Sequence, residues 1–311
     1  MKYIYLDEWC WIGLRDAEQK KNNGEPYSTF LSCALKNVEN NIWAFPLSLW
    51  HLAETQNTGD ALKRHPLALI QEKLSNNWTT KSFHQINDAE VKRGLKGIHL
   101  KQNEVIVHEL ANMFGLSRDK MIKDFLLREN VICDDERKLF FRINSMLSDF
   151  RTTYSQMADR YSDLTPVKVT QSPHLQSLRQ LHDEVKLTEY EMLLINLQDF
   201  YNDEQQKEIL QDFLPVISDL GKNEARNKTI EYFKNFPSFY TGSMLLYEVV
   251  KSAENINSFN KNDFMDIVFL SVAIPYFDVV VTEKQWVHLA TQQNLHEIYS
   301  TEIISDISSL L

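Results

Sequence analysis

Hydrophobic and polar positions follow different rhythms in different parts of the chain. Residues 2–7 (KYIYLD) are β-branched and aromatic and stop at an acid, which predicts a short strand buried on nearly both faces. Residues 28–39 (STFLSCALKNVE) place Phe30, Leu31, Ala34, Leu35 and Val38 at helical spacing. Residues 42–45 are again strand-like and run into PLSLWHLAETQN, where Pro46 ends the strand and Ser48 is placed to cap a helix. Strand, helix, strand, helix is the pattern of a parallel sheet with crossover helices.

From about residue 80 to 235 the pattern is amphipathic and helical, with no convincing strand. Examples are EVIVHELANMFG (104–115), RDKMIKDFLLREN (118–130), RKLFFRINSMLSDFRTTYSQMADRY (137–161) and EYEMLLINLQDFYN (189–202). Breaks fall at Gly115, Thr165-Pro166, Ser172-Pro173 and Gly221. The α/β rhythm then resumes. GSMLLYEVVKSA (242–253) predicts a helix, and residues 263–274 another, capped by Asn262 and stopped by Pro275. Asp278 falls in the turn that follows, residues 279–282 (VVVT) predict a buried strand, 284–293 a helix, and LHEIYS (295–300) a last strand. The expected architecture is therefore α/β. Residues 1–79 and 236–311 form two halves of one parallel sheet, and residues 80–235 are a large all-α insertion.

With 311 residues, 43% of them hydrophobic, the chain can bury a substantial core. No apolar run approaches the length of a membrane span. The opening MKYIYLDEWCWIGL makes a poor signal peptide, because an acidic pair interrupts it and no small-residue cleavage site follows. Cys10, Cys33 and Cys133 have no metal-like spacing, so a reduced, cytoplasmic protein is expected. A net charge of −10 argues against a protein that coats nucleic acid, though an enzyme with a local basic patch remains compatible with it. The motifs of zinc peptidases, dinucleotide-binding proteins and P-loop proteins are absent from the sequence.

In open α/β sheets the working crevice lies outside the C-terminal ends of the strands. That rule sorts the acids. Asp7 ends the first strand, and Glu54 lies about two turns into the helix after the second. Asp266 is expected in the first turn of its helix, and Glu283 just past the C-terminal end of VVVT. Asp278 precedes that strand and belongs to the opposite rim. Four gathered carboxylates repel one another unless a hard cation resolves the conflict. Mg²⁺ or Mn²⁺ takes oxygen ligands and supports phosphodiester cleavage by activating water. Asp7, Glu54, Asp266 and Glu283 are therefore the candidate catalytic and metal-binding residues, with Asp263 a further candidate. For an acid near a helix start, favourable interaction with the helix dipole is the plainer alternative.

This layout resembles the PIN-domain nucleases: an acid closing the first strand, S-x5-E after the second (Ser48, Glu54), a D at a helix start (Asp266, with Ile267 and Ala273), and a T with an acid closing a later strand (VVVTE, 279–283). The block at 262–286, preceded by FPSFY at 236–240, is similar to bacterial PIN-like proteins with a helical insert. The resemblance covers roughly the first 60 and last 75 residues. It implies a three-layer fold with a central parallel sheet and an Mg²⁺- or Mn²⁺-dependent endonuclease, RNA being the expected substrate over DNA. Ser48 and Thr282 would orient the carboxylates. One departure stands out. Many PIN proteins carry the last acid two residues after the Thr, where this chain has Lys284. That departure motivates an alternative: an inactive PIN-like scaffold whose insert binds a protein or RNA partner. A protein inhibitor and association into oligomers are compatible with either reading. An acid-clustered phosphatase fits less well, because no D-x-D follows the first strand.

Lys92, Arg93, Lys96, His99 and Lys101 make the densest basic stretch, with 92, 96 and 99 expected on one helix face where a phosphate backbone could track. An ordinary solvated face is the plainer reading. Trp50 and Trp286 could stack bases, but their apolar surroundings favour packing. His51 is one turn from Glu54, and a packed or surface histidine is expected there; His288 is similarly isolated. Cys10 follows two acids, which would raise its thiol pKa and leave it a packing residue.

Overall fold

Parallel strand pairs, each fed by helices, make the architecture mixed α/β. The computed structural model describes residues 1–21, 24–114, 154–155, 158, 180–182, 184, 186–251 and 261–311. The expected helices at 118–130 and 137–161, and Cys133, lie largely or wholly outside the described residues. The chain divides into two compact units. The first comprises residues 1–82, 105–166 and 306–311, and the second residues 83–104 and 167–305.

In the first unit, strand β1 (Lys2–Leu6) buries Ile4, Tyr5 and Leu6 in succession, as a strand covered on both faces must. It runs into helix α1 (Glu8–Glu18). Helix α2 (Glu25–Glu39) leads to strand β2 (Trp43–Ala44), which pairs in parallel with β1, Lys2 opposite Trp43 and Tyr3 opposite Ala44. After Pro46, helix α3 (Leu49–Asn57) starts at its expected cap, Ser48, and helix α4 (Ala61–Ser75) follows. An edge-packed cluster of Phe30, Trp43, Phe45 and Trp11 joins the helices to the strands. Two short strands, β3 (Thr79–Thr80) and β4 (Ile106–Val107), pair antiparallel. This corrects two expectations, that 80–235 holds no strand and that 104–115 is a helix. The β-branched Ile106 and Val107 find backbone partners in Thr79 and Thr80, and a 3₁₀ turn (Leu110–Phe114) takes the rest.

The second unit is built on helices α5 (Phe83–Gly94), α6 (Glu189–Phe200), α7 (Asp203–Ile217), α8 (Lys222–Phe233) and α9 (Pro237–Lys251). Helix α9 is buried from Pro237 to Val250. It packs against α6, with the Phe200 ring lying where a Cβ on Gly242 would fall 2.6 Å away. Helix α10 (Lys261–Tyr276) begins earlier than expected, with Asn262 inside it, and retains Pro275 in its last turn. Strand β5 (Val279–Val281) pairs in parallel with β6 (Glu302–Ile304). Between them lie α11 (Lys284–Gln292) and α12 (Leu295–Tyr299). The predicted strand at 295–300 is thus a helix, bounded by left-handed residues at Asn294 and Ser300, and the last strand comes after it. No described helix is long and apolar enough to cross a membrane.

Candidate functional site

In the first unit the chain leaves β1 at Leu6, and Asp7 caps α1 by accepting from the Glu8 N–H at 2.7 Å. Burial raises the Glu8 carboxyl and the Cys10 thiol, and the negative charge of Asp7 adds to both. Cys10 is fully buried and packs, as its neighbours in sequence predicted.

The helix that carries Glu54 is tied to the end of β1 by His51. The His51 Nδ1 accepts from the Ser48 backbone N–H at 3.0 Å, which leaves the proton on Nε2, and Nε2–H donates to the Leu6 carbonyl at 3.1 Å. The Ser48 Oγ lies 2.9 Å from Nδ1 and accepts from the His51 N–H. Burial, outweighing the Leu6 contact, pushes the imidazole pKa down to about 4, so the ring is neutral. A neutral histidine thus fastens the first turn of α3 to the residue just before Asp7. Glu54 follows His51 by one turn, which places it on the same helix face. It is half-buried beside Tyr154, whose phenol is held well above its usual range by burial, with the Glu54 charge adding.

The second unit holds the other two acids. Asp266 is in the second turn of α10, not the first, because the helix starts at Lys261. Its Oδ2 accepts from the Trp286 indole N–H at 3.2 Å. Trp286 is 1% exposed, so it is a core anchor rather than a stacking platform. Glu283 is exposed at the N-cap of α11, makes no capping hydrogen bond, and accepts from Gln285 Nε2 at 3.3 Å. Thr282 is buried, and its N–H donates to the Ile304 carbonyl. Asp278 precedes β5 and accepts from Gln102 Nε2 at 3.0 Å. The Asp263 side chain lies outside the described residues. The four acids thus fall into two pairs, one in each unit. Among the described residues, no group of three or more His, Cys, Asp or Glu is placed to hold a metal ion.

The basic stretch is not one helix face. Helix α5 ends at Gly94, and the chain turns through Gly97, whose φ is +63°. Lys96 and His99 therefore leave the helix that carries Lys92. Arg93 is paired with both carboxylate oxygens of Glu104. Lys92 and Lys96 are exposed.

Sequence reasoning missed two supporting groups, the His51 clasp and the Trp286 donor. The signal for His51 was present: a residue three after an N-cap serine is where a capping-box acceptor belongs.

Among known proteins, the profile of the L27 domain matches residues 167–192. It is a local likeness to a protein-interaction domain, and part of it lies outside the described residues. No curated protein and no solved structure matches the chain.

Proposed function

We propose that this protein is a metal-dependent endonuclease that acts on RNA in preference to DNA. The observation that supports the reading is the His51 clasp, which ties the helix carrying Glu54 to the residue just before Asp7, at the strand end where α/β proteins do their chemistry. Carboxylate oxygens suit Mg²⁺ or Mn²⁺, and the charge of Asp7 that helps hold up Glu8 and Cys10 is of the sign such an ion would answer. Asp7 and Glu54 in the first unit, and Asp266 and Glu283 in the second, are the carboxylates proposed to engage such ions. A bound ion would supply an activated water and charge stabilisation at the leaving oxygen. The chain's own part is positional: His51 and Ser48 fix α3, Trp286 fixes Asp266, and Thr282 fixes the strand end before Glu283. Lys92 and Lys96 would meet the substrate backbone.

Labelled RNA and single-stranded DNA, incubated with Mg²⁺ or Mn²⁺, test this directly. The wild type should cut RNA, and Asp7→Ala and Asp266→Ala should each lose at least about a hundredfold in rate, the scale on which positioned charge contributes to catalysis. Absence of cutting, or equal cutting by all three proteins, overturns the reading.

The local L27 likeness favours a second reading, a scaffold that binds a protein partner through residues within 80–235. It predicts no cleavage and no thermal stabilisation by Mn²⁺. Under the nuclease reading, millimolar Mn²⁺ raises the melting temperature, and Asp7→Asn abolishes the rise.

A further inference from the structure

Helices α3 and α4 bury two polar side chains between them. The Thr55 hydroxyl donates to Gln71 Oε1 at 2.8 Å, and both residues are buried. A third polar group reaches this place from the middle of the chain. Residues 154, 155 and 158 are helical and belong to the first unit. Tyr154 and Ala158, one turn apart, are fully buried, so one face of this turn is pressed inward. The Ser155 N–H donates to Glu72 Oε2 at 2.8 Å, which ties the turn to α4 across 83 residues.

That tie leaves the Tyr154 phenol beside Thr55 and within electrostatic reach of the Glu54 carboxylate. Among the described residues, its oxygen is sealed from water without a hydrogen-bond partner of ordinary geometry. An unanswered buried hydroxyl is costly. Two acceptors are at hand. Thr55 Oγ1 has committed its own proton to Gln71, so toward Tyr154 it can only accept, and it is neutral. The Glu54 carboxylate is charged, and a hydrogen bond to a charged oxygen is roughly twice as strong as one to a neutral oxygen. Glu54 is half-buried, and its long side chain can turn toward the phenol. Burial, ahead of the small opposing effect of Thr55, keeps the phenol far above its ordinary range, so it remains a donor.

We propose that the Tyr154 hydroxyl positions the Glu54 carboxylate by donating to one of its oxygens, leaving the other to face an ion. The proton stays on the phenol, and no covalent bond changes. The consequence for an ion rests on the reading of Glu54 as an ion ligand; the hydrogen bond itself does not. Tyr154 falls within residues 80–235, so the middle of the chain supplies part of a site that the sequence assigned to its two ends.

A double-mutant cycle on the full chain, read by urea denaturation with EDTA present, tests the hydrogen bond. The four proteins are the wild type, Tyr154→Phe, Glu54→Ala and the double variant. Tyr154→Phe should raise the unfolding equilibrium constant about fivefold in the wild type and barely change it in the Glu54→Ala background. An orphaned hydroxyl behaves otherwise, since its removal leaves stability unchanged or improves it. Equal effects in both backgrounds, or no loss in Tyr154→Phe, overturn the proposal. Titration of the same proteins with Mn²⁺, followed by the EPR signal of the free ion, tests the consequence. Tyr154→Phe should weaken Mn²⁺ binding about tenfold, as loss of a group behind a metal ligand does, and should add nothing to Glu54→Ala. Equal Mn²⁺ affinity in the wild type and Tyr154→Phe overturns the positioning role even where the cycle shows coupling. A wild type that binds no Mn²⁺ overturns the metal-dependent reading instead, and the cycle then decides the Tyr154–Glu54 hydrogen bond alone.

Discussion

His51 does two jobs with one neutral ring. At the third position of α3 it accepts from the capping serine, as Glu or Gln does in the usual capping box, and with its other nitrogen it reaches the carbonyl of Leu6. A glutamate there would answer Ser48 but would bring another negative charge beside Asp7 and Glu54 and could not donate to Leu6. Truncation by His51→Ala should cost about 2–3 kcal/mol, since it leaves a buried carbonyl and a cap N–H unanswered. His51→Gln, whose amide has both an acceptor and a donor, should restore about 1 kcal/mol of that. Urea denaturation measures both. The pH sign follows from the neutral ring. The unfolded histidine takes a proton near 6.5 and the folded one only near 4. Its contribution is therefore fully present above 6.5 and is lost as pH falls from 6.5 to about 4, by up to about 3 kcal/mol. His51→Gln should lack that part of the acid slope.

Among the elements, α3 is the one the sequence specified most fully, and Ser48→Ala should destabilise it by about 1 kcal/mol in the same denaturation assay. Strand β1, helix α2 and strand β5 were legible for a related reason: each carries its own periodicity and its own stop signal. The failures have physical causes. LHEIYS is too short for periodicity to decide, but Leu295, Ile298 and Tyr299 do stand at helical spacing, and the five-residue helix is bounded by left-handed backbone at Asn294 and Ser300. EVIVHELANMFG has helical spacing, yet Ile106 and Val107 leave it to pair with Thr79 and Thr80, a contact decided by tertiary structure. Of the candidate site, the strand-end positions of Asp7 and Glu283 were legible because each short strand carries its own stop, whereas Asp266 falls one turn later in its helix than expected. Contacts distant in sequence were not: Trp286 meets Asp266 across 20 residues, and the buried Glu90 of α5 accepts from the Tyr276 hydroxyl across 186. Within NDAEVKRG, Glu90 looks like any residue of a solvated helix face.

For the molecule as a whole, the two units carry buried groups with opposite responses to pH. Acid acts against the first unit through His51. The second responds the other way, because the folded Glu90 binds its proton more tightly than the unfolded one does, so its contribution is fully present below 4.5 and is lost as pH rises to about 7. Calorimetric scans at pH 5 and pH 7.5 should therefore shift the two transitions in opposite senses. His51→Gln should remove the shift of one and Glu90→Gln that of the other; a common shift in both scans would contradict these assignments. The net charge of −10 adds a constraint on any RNA contact, which must be local and salt-sensitive. The hydrogen bond from Trp286 to Asp266 turns a packing detail into an optical one. The indole is sealed from water, and its N–H rests on the carboxylate that a divalent ion would engage. Occupation of Asp266 should alter the emission of this one tryptophan among six, and subtracting the Trp286→Phe signal isolates it. The chain thus carries its own fluorophore at the residue whose role is most in need of a reporter.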